Sequence, residues 1–525
     1  MSEIKKPCHE EGWVRSVPLL LDPPSLKDNT ADVDRLIRGI KRCLGVQTVT
    51  VSVPLVRRVP EILRASDYRV HALLHEEDGR GIWHLMDLLP DSAEVSLAGV
   101  ALDLGTSTIV ARLVDLQTGH TRGEVSFLNP QISVGPDILT RIHHAGRPGG
   151  LHELQGKLVQ KLNQEVGRLC SGSGIRSTEI VAASVAGNTT MTHLFLGLDP
   201  HWICREPYIP VLNVPGLMKA EDVGFSIHGE APVLVFPNVG SYLGGDLIAG
   251  ILASGMHRRD DLSILVDVGT NAEVVLGNRD WLMACAGAAG PALEGGVAAM
   301  GMMAAPGVID RVVMDPAIGE FRLRTIENKP PVGICGSGLI DLVAQLFLAG
   351  MIDVRGKFVR EKCGERLKEV DGIRHFVVVP AEDSGTGSEL TLAQTDLDAL
   401  IRSKAAMFTI LSTVTGMVHL SMREIRNFHV AGTFGSYINP ASAITLGMIP
   451  DLPLETFRSL GNTSLAGATE GLISSRARRE VRMIRDRVTY LELNVNQEFM
   501  NLFNAARFIP HTDRSLFPSV RRRTE

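Results

Sequence analysis

The alternation of apolar and polar positions divides the chain into a short opening α/β segment and a longer one in which strand, hairpin, helix and strand recur. In the first segment Val14 to Leu21 reads as a strand closed by Asp22-Pro23-Pro24, and Asp32 to Cys43 has helical apolar spacing. Thr48 to Val53, Tyr68 to Leu74 and Gly81 to Leu89 read as further strands, and a short linker near Pro90 to Leu97 follows. Downstream, Leu151 to Leu169 predicts an amphipathic helix, Glu179 to Val185 a strand, and Val239 to Ser254 a helix of small residues. Gly333 to Gly350 predicts a glycine turn opening a helix, and Val430 to Pro450 a strand, a glycine turn and a short helix. Asn129 to Gly150 reads as a surface loop; its adjacent His143 and His144 point in different directions, which disfavours a metal pair. The run Arg476 to Arg487 alternates basic with apolar residues at helical spacing and reads as a solvated helix face.

Two segments repeat one another: ALDLGTSTIVARLVD at Ala101 to Asp115 and LVDVGTNAEVVLGN at Leu265 to Asn278. Each has an apolar strand ending in an aspartate (Asp103, Asp267), then Gly-Thr and a polar residue (Gly105, Thr106, Ser107; Gly269, Thr270, Asn271), then a second alternating strand. A glycine without Cβ at the reversal lets successive N–H groups and hydroxyls converge on phosphate oxygens. One copy alone is equally a tight β-hairpin; the repeat favours a duplicated phosphate grip. Aspartates would repel phosphate without a cation, so the pair implies Mg²⁺ held largely through water by Asp103 and Asp267.

Other polar clusters have two readings each. Gly187-Asn188-Thr189-Thr190 lies at a strand's carboxyl end before a helix, where it either caps the helix or faces a ligand. Asp246, the lone carboxylate of its small-residue helix, is either solvated or part of a site. The glycines around Gly336 and Ser337 serve either an anion-facing helix N-terminus or close backbone packing.

The chain has 525 residues and a formal charge of −6, enough for several domains and without the basic surplus that nucleic acid or an anionic membrane surface calls for. No segment offers the roughly 18 uninterrupted apolar residues that cross a bilayer, and the polar start MSEIKKPCHEEG carries no signal-peptide core, so a cytoplasmic location is expected. The seven cysteines form no C-x-x-C and no pairing pattern. That spacing disfavours zinc, disulfides and an iron–sulfur cluster, and Cys285 and Cys335 read as structural thiols.

Taken in order, these motifs resemble the superfamily of actin, sugar and acetate kinases and heat-shock chaperone ATPases. The series runs from a first phosphate hairpin at Asp103 to Ser107, through a connecting helix at Ser241 to Leu252, to a second hairpin at Asp267 to Asn271. A second connecting helix at Gly336 to Leu348 and an adenosine turn at Ala431 to Gly435 (Gly432, Thr433, Phe434, Gly435) complete it. The resemblance implies an α/β, duplicated actin-like (RNase H-like) ATPase fold with two subdomains around a nucleotide cleft. A small α/β domain at 1–97 would precede the ATPase domain at 98–525, with subdomain I at about 98–258 plus a returning C-terminal segment and subdomain II at about 259–470.

The fuller strings SVAGNTTMTHLFLGL, GTNAEVVLG, AGAAGPALEGG, ICGSGLIDLVAQL, LGNTSLAGA and the tail YLELNVNQEFMNLFNAARFIPHTDRSLFPSV resemble the ATP-dependent reductive activators of corrinoid proteins, and the opening segment resembles their middle domain. The resemblance implies an enzyme that uses ATP and Mg²⁺ to return a Co(II) corrinoid, carried on a partner protein, to Co(I) for methyl transfer. The chain has no Asp-x-His-x-x-Gly cobalamin motif, so the corrinoid belongs to the partner. It departs from the family in showing no four-cysteine ferredoxin cluster and in having Thr433 where the adenosine turn usually has glycine. Either a separate ferredoxin or flavodoxin supplies the electron, or this chain performs only the ATP-driven step. Asp246, Glu273 and Asn188 compete for orienting the attacking water, because the position of the chaperones' helix carboxylate is held here by Tyr242. A metabolite kinase and a nucleotide-gated scaffold are the alternative functions, and a homodimer is left open.

Overall fold

The computed structural model describes residues 12–77, 81–92, 96–269, 272–287, 298–315, 320–432, 437–491 and 498–521. The chain packs as two units: Met1–Ala253 with Ser464–Arg487, and Ser254–Thr463 with Val488–Glu525.

The first unit opens with β1 (Val14–Leu20), α1 (Asp32–Leu44), β2 (Thr48–Val51), α2 (Val53–Ala65), β3 (Arg69–Glu77) and β4 (Ile82–Pro90). Their sheet runs β1-β3-β4-β2, with β2 parallel to β4. Leu36 and Ile40 of α1 and Val59 and Leu63 of α2 share one buried core with Val70, Ala72 and Leu74 of β3. The strand expected over Thr48 to Val53 ends at Val51, and α2, which the sequence reading did not place, begins at Val53. Pro54 falls in the first turn, where its missing N–H needs no partner, and the buried Leu55, Val59 and Leu63 hold the helix through Pro60.

This small domain is fastened to the returning segment. The Trp13 indole N–H donates to the Gly471 carbonyl at 3.1 Å, near the carboxyl end of the helix Thr463–Ile473, where carbonyls lack intrahelical donors. The Arg478 guanidinium lies 4.3 Å from the Trp13 ring centroid and donates to the Glu76 carbonyl at 3.3 Å. The helix Ser475–Arg487 is therefore not simply a solvated face: Arg478 and Glu480 are buried on it.

The main sheet of this unit orders β7-β6-β5-β8-β10-β9. Its strands are β5 (Ala98–Leu104), β6 (Thr108–Asp115), β7 (Thr121–Leu128), β8 (Ile180–Gly187), β9 (Gly216–Lys219) and β10 (Pro232–Val235), with β5, β8 and β10 parallel. Between β7 and β8 run α3 (Ile138–Ala145) and α4 (Gly150–Gly172), and α4 seats Leu154, Leu158, Leu162 and Val166 in the core. The expected loop from Asn129 to Gly150 thus contains a helix. Its N-cap is Asp137, whose carboxylate accepts from the Thr140 N–H at 2.8 Å. His144, at its end, meets Glu153 at 2.9 Å. After β8 come α5 (Thr189–Leu196) and α6 (Gly245–Ser254).

The second unit is built on β11 (Ser263–Val268), β12 (Ala272–Gly277), β13 (Leu282–Gly287), β20 (Asn427–Ala431), β21 (Phe457–Gly461) and β22 (Val488–Tyr490), ordered β21-β20-β11-β12-β13-β22. The intervening β14 (Val308–Met314), β15 (Phe321–Thr325) and β16 (Gly333–Ile334) form one small sheet, and β17 (Leu367–Val370), β18 (Ile373–Val379) and β19 (Leu390–Ala393) another. The core also takes in α7 (Gly336–Leu348) and the long helix Gln394–Met417. In that long helix, buried Lys404 donates to the carbonyls of Phe508 (2.5 Å) and Pro510 (2.8 Å), fixing the C-terminal segment.

His429 of β20 is buried, and neither ring nitrogen has a hydrogen-bond partner among the described residues. Burial, reinforced by Arg259 and Arg458, brings its pKa down to about 4. The unfolded chain binds the proton at its ordinary value near 6.5, so the stabilisation from a neutral His429 is complete above that pH and is lost as pH falls toward 4. Between pH 7 and 5 the loss is expected to be about 2 kcal/mol. Urea titrations at the two pH values should show a difference that His429→Phe reduces; an equal difference in the variant assigns the acid sensitivity elsewhere.

Candidate functional site

In the first unit, the register that pairs Leu104 with Ile109 leaves Gly105, Thr106 and Ser107 as the turn between β5 and β6. A Cβ on Gly105 would stand 2.2 Å from the Thr108 carbonyl, so the reversal accepts no side chain there. Asp103, two residues before the turn, accepts from the Ser464 hydroxyl at 2.8 Å. Ser464 comes from the returning helix, a partner that no local motif announces.

The parallel neighbour β8 aligns Gly187 with Leu104, which delivers Asn188 beside the turn. The capping reading of Asn188 holds, since its Oδ1 accepts from Met191 N–H (2.9 Å) at the start of α5, and its Nδ2 donates to the Thr106 hydroxyl (3.1 Å). The helix expected to begin near Ser241 starts instead at Gly245. Gly244 is pressed so close that a Cβ would lie 2.4 Å from Asn188 Cα and 2.6 Å from Asp246 Oδ1. Asp246 therefore sits in the first turn of α6, next to the start of α5, with Oδ1 accepting from Leu247 N–H at 2.8 Å. Asp103, Thr106, Asn188 and Asp246 gather at the carboxyl ends of parallel strands, the edge where open α/β sheets place ligands.

In the second unit, Asp267 near the end of β11 stands opposite Glu273 of β12 and beside Ala431 of β20. The antiparallel register puts the two carboxylates on one face. Gly432, at φ +81°, leads out of β20, and a Cβ on it would be 3.0 Å from Asp267 Oδ1. The start of the expected adenosine turn thus abuts the second carboxylate. Thr270, Asn271, Thr433, Phe434 and Gly435 lie outside the described residues. A cavity of about 180 Å³ adjoins this strand, its apolar lining including Val266, Phe428, Val430 and Ile438, with Arg458 and Ser459 as polar members.

The amino end of α7 packs closely. The Ser337 hydroxyl donates to the Asp310 carbonyl at 3.2 Å, and a Cβ on Gly338 would lie 2.4 Å from the Ile309 carbonyl. Cys335 Sγ is 3.2 Å from Ser337 Oγ, while burial pushes the Cys285 thiol up to about 12. Among the described residues no group of three or more His, Cys, Asp or Glu is arranged to hold a metal, and no helix is long and apolar enough to cross a membrane.

The chain matches three family profiles in succession: the RACo linker region over residues 10–94, the RACo middle region over 98–259, and the C-terminal domain of RACo, the ASKHA domain, over 261–521. The middle-region match thus covers 98–259, and the opening segment matches the linker. Among curated proteins it is 30% identical over 428 residues to the corrinoid activation enzyme RamQ of Eubacterium limosum, covering 80% of this chain and 72% of that one. It is 24% identical over 440 residues to a [Co(II) methylated amine-specific corrinoid protein] reductase of Methanosarcina barkeri, covering 77% and 76%. The solved structure of a reductive activator for corrinoid, iron-sulfur protein aligns with a TM-score of 0.88 at 38% identity, over 99% of this chain and 82% of the other.

Proposed function

The chain belongs to the RACo family of reductive activators of corrinoid proteins, and we infer that it hydrolyses ATP to drive a partner's corrinoid from Co(II) to Co(I). The observation that carries this reading is the run of three RACo profiles from residue 10 to 521, with Asp103 and Asp267 at equivalent places in two hairpins.

The donor set suits a hard cation. Asp267 and Glu273 share a face on which a divalent ion relieves their repulsion, and Asp103 sits at the other turn beside the Ser464 hydroxyl. Asp103 and Asp267 would hold Mg²⁺ largely through water, and the ion supplies neutralisation of the phosphate charge. The N–H groups and hydroxyls of Gly105, Thr106 and Ser107, with Gly269, Thr270 and Asn271, take the phosphate oxygens. The ribose and base go to the turn that Gly432 opens beside Asp267.

Water is the acceptor. Of the candidates that orient it, Asn188 has both ends of its amide engaged, to Thr106 and to the α5 cap, and so positions the hairpin. Asp246, beside it, and Glu273 are the two carboxylate candidates for accepting a water proton. Hydrolysis to ADP and phosphate changes the fit of the activator to the corrinoid protein and to its cobalt ligation. The single electron that takes Co(II) to Co(I) comes from a separate low-potential donor, a ferredoxin or flavodoxin, in the cytoplasm.

The decisive assay mixes a Co(II) corrinoid protein with this chain, ATP and Mg²⁺. The cobalt should stay oxidised until a low-potential donor is added, and the Co(I) absorption band should then grow only with hydrolysable ATP. A non-hydrolysable analogue should support binding of the corrinoid protein without sustained reduction. Transfer of the γ-phosphate to a small hydroxyl or carboxylate compound, with no corrinoid protein bound or reduced, would replace this reading with a kinase.

A further inference from the structure

The first hairpin is gripped from behind by two side chains that no phosphate motif contains. Asn129, immediately after β7, donates through Nδ2 to the Gly105 carbonyl at 2.9 Å. Arg141 of α3 donates through Nη2 to the Thr106 carbonyl at 2.7 Å. Both residues are buried, and both reach Met191 Sδ in the first turn of α5. Arg141 is fixed further by its Nε bond to the Gly135 carbonyl (2.9 Å) and its Nη1 contact with Gln131 Oε1 (3.4 Å). Asn129 is fixed by its Oδ1, which accepts from Gln131 N–H at 2.9 Å, and by its own N–H, which donates to the Ser107 carbonyl at 2.9 Å.

A trans peptide is planar, with its C=O and N–H pointing in opposite directions. Drawing the Gly105 carbonyl toward Asn129 turns the Thr106 N–H away from it, and drawing the Thr106 carbonyl toward Arg141 does the same for the Ser107 N–H. We propose that Asn129 and Arg141 are positioning residues for the phosphate grip: by holding two successive carbonyls, they aim the Thr106 and Ser107 N–H groups at the phosphate oxygens of ATP. The inference rests on the nucleotide reading above and adds to it an aiming device and its charge.

Arg141 contributes a second effect. Its guanidinium is bonded to carbonyls, an amide and a thioether and, among the described residues, has no carboxylate within hydrogen-bond reach; Asp137, which faces it from its own element, acts through space while its carboxylate is bonded to Thr140. Burial lowers its pKa to about 10, which leaves it cationic at neutral pH. A fixed positive charge thus lies directly behind the turn, where little water screens it, and favours an anion on the opposite side.

Affinities for ATP and for adenosine, measured by calorimetry on the full chain, separate phosphate recognition from base recognition. Asn129→Asp is isosteric and keeps the cap on Gln131, but it sets a carboxylate oxygen against the Gly105 carbonyl. Arg141→Met keeps the buried stem and removes the fork and its charge. Each should weaken ATP by about tenfold or more while leaving adenosine within about twofold. Arg141→Lys, which keeps the charge but cannot span the four partners of the guanidinium, should recover part of the loss. In turnover, the KM for ATP should rise more than kcat falls. If Arg141→Met does not fold, Asn129→Asp decides alone. ATP binding unchanged in the folded variants overturns the proposal. Failure of the wild-type chain to bind ATP overturns instead the nucleotide reading beneath it.

Discussion

Replacing Asp103 or Asp267 by Asn is expected to lower Mg²⁺-dependent ATP hydrolysis about 100- to 1,000-fold with the fold unchanged. Neither carboxylate fills a core position, so no cavity is opened; each ends a strand at a turn. Asn at 103 still accepts from Ser464, which isolates the lost charge from the lost hydrogen bond. The magnitude follows from removing one prepositioned charge from the place where phosphoryl transfer concentrates it. Phosphate release over a Mg²⁺ titration gives the rate, and melting within about 3 °C of wild type certifies the fold. Turnover near the wild-type rate in both variants would remove these aspartates from the site.

Lys404→Ala is expected to destabilise the second unit by about 3–5 kcal/mol. The substitution opens a cavity in the long helix's buried face and leaves the Phe508 and Pro510 carbonyls without their donor. Lys404→Met retains the stem and should lose only the polar part, about 2 kcal/mol. Burial holds the Lys404 pKa well below the ordinary lysine value. The unfolded chain therefore binds more protons than the folded one between those two values, and wild-type stability rises with pH across that window. Lys404→Met should abolish this rise. Denaturant midpoints across pH, together with proteolysis of residues 498–521, read both effects; an Ala variant with a wild-type midpoint and a protected tail would show that the two bonds do not hold the segment.

Legibility in the sequence followed the range of the interaction. The strands around both hairpins were readable because alternation and a glycine turn are local signals, and α7 was readable from glycine followed by apolar spacing. Helix α2, which carries Pro60 in its interior, was not placed at all, and α3 was missed among glycine, proline and arginine neighbours that read as loop. The start of α6 is set by Gly244 against Asn188, a contact between segments far apart in the chain. The same limit governs the site. Asp103, Asp267 and the Gly-Thr turns announce themselves by repetition, whereas Ser464, Asn129 and Arg141 act through distant partners and follow no period. Arg478 is the sharpest case: Arg476 and Arg479 on either side of it face solvent, yet the folded chain buries Arg478 over Trp13.

The bond between Ser464 and Asp103 spans 361 positions of sequence, and the Trp13 anchor on Gly471 spans 458. During synthesis the first unit cannot be closed when its sheet leaves the ribosome, because the helices that finish it are translated only after most of the second unit. Closing loops of that length is entropically tolerable once the chain is complete but impossible before it. A nascent or prematurely terminated chain ending before residue 464 would carry the first hairpin without the hydroxyl that holds its aspartate. The topology thus ties completion of the first hairpin to translation of the returning helices, and early fragments lack a finished first carboxylate.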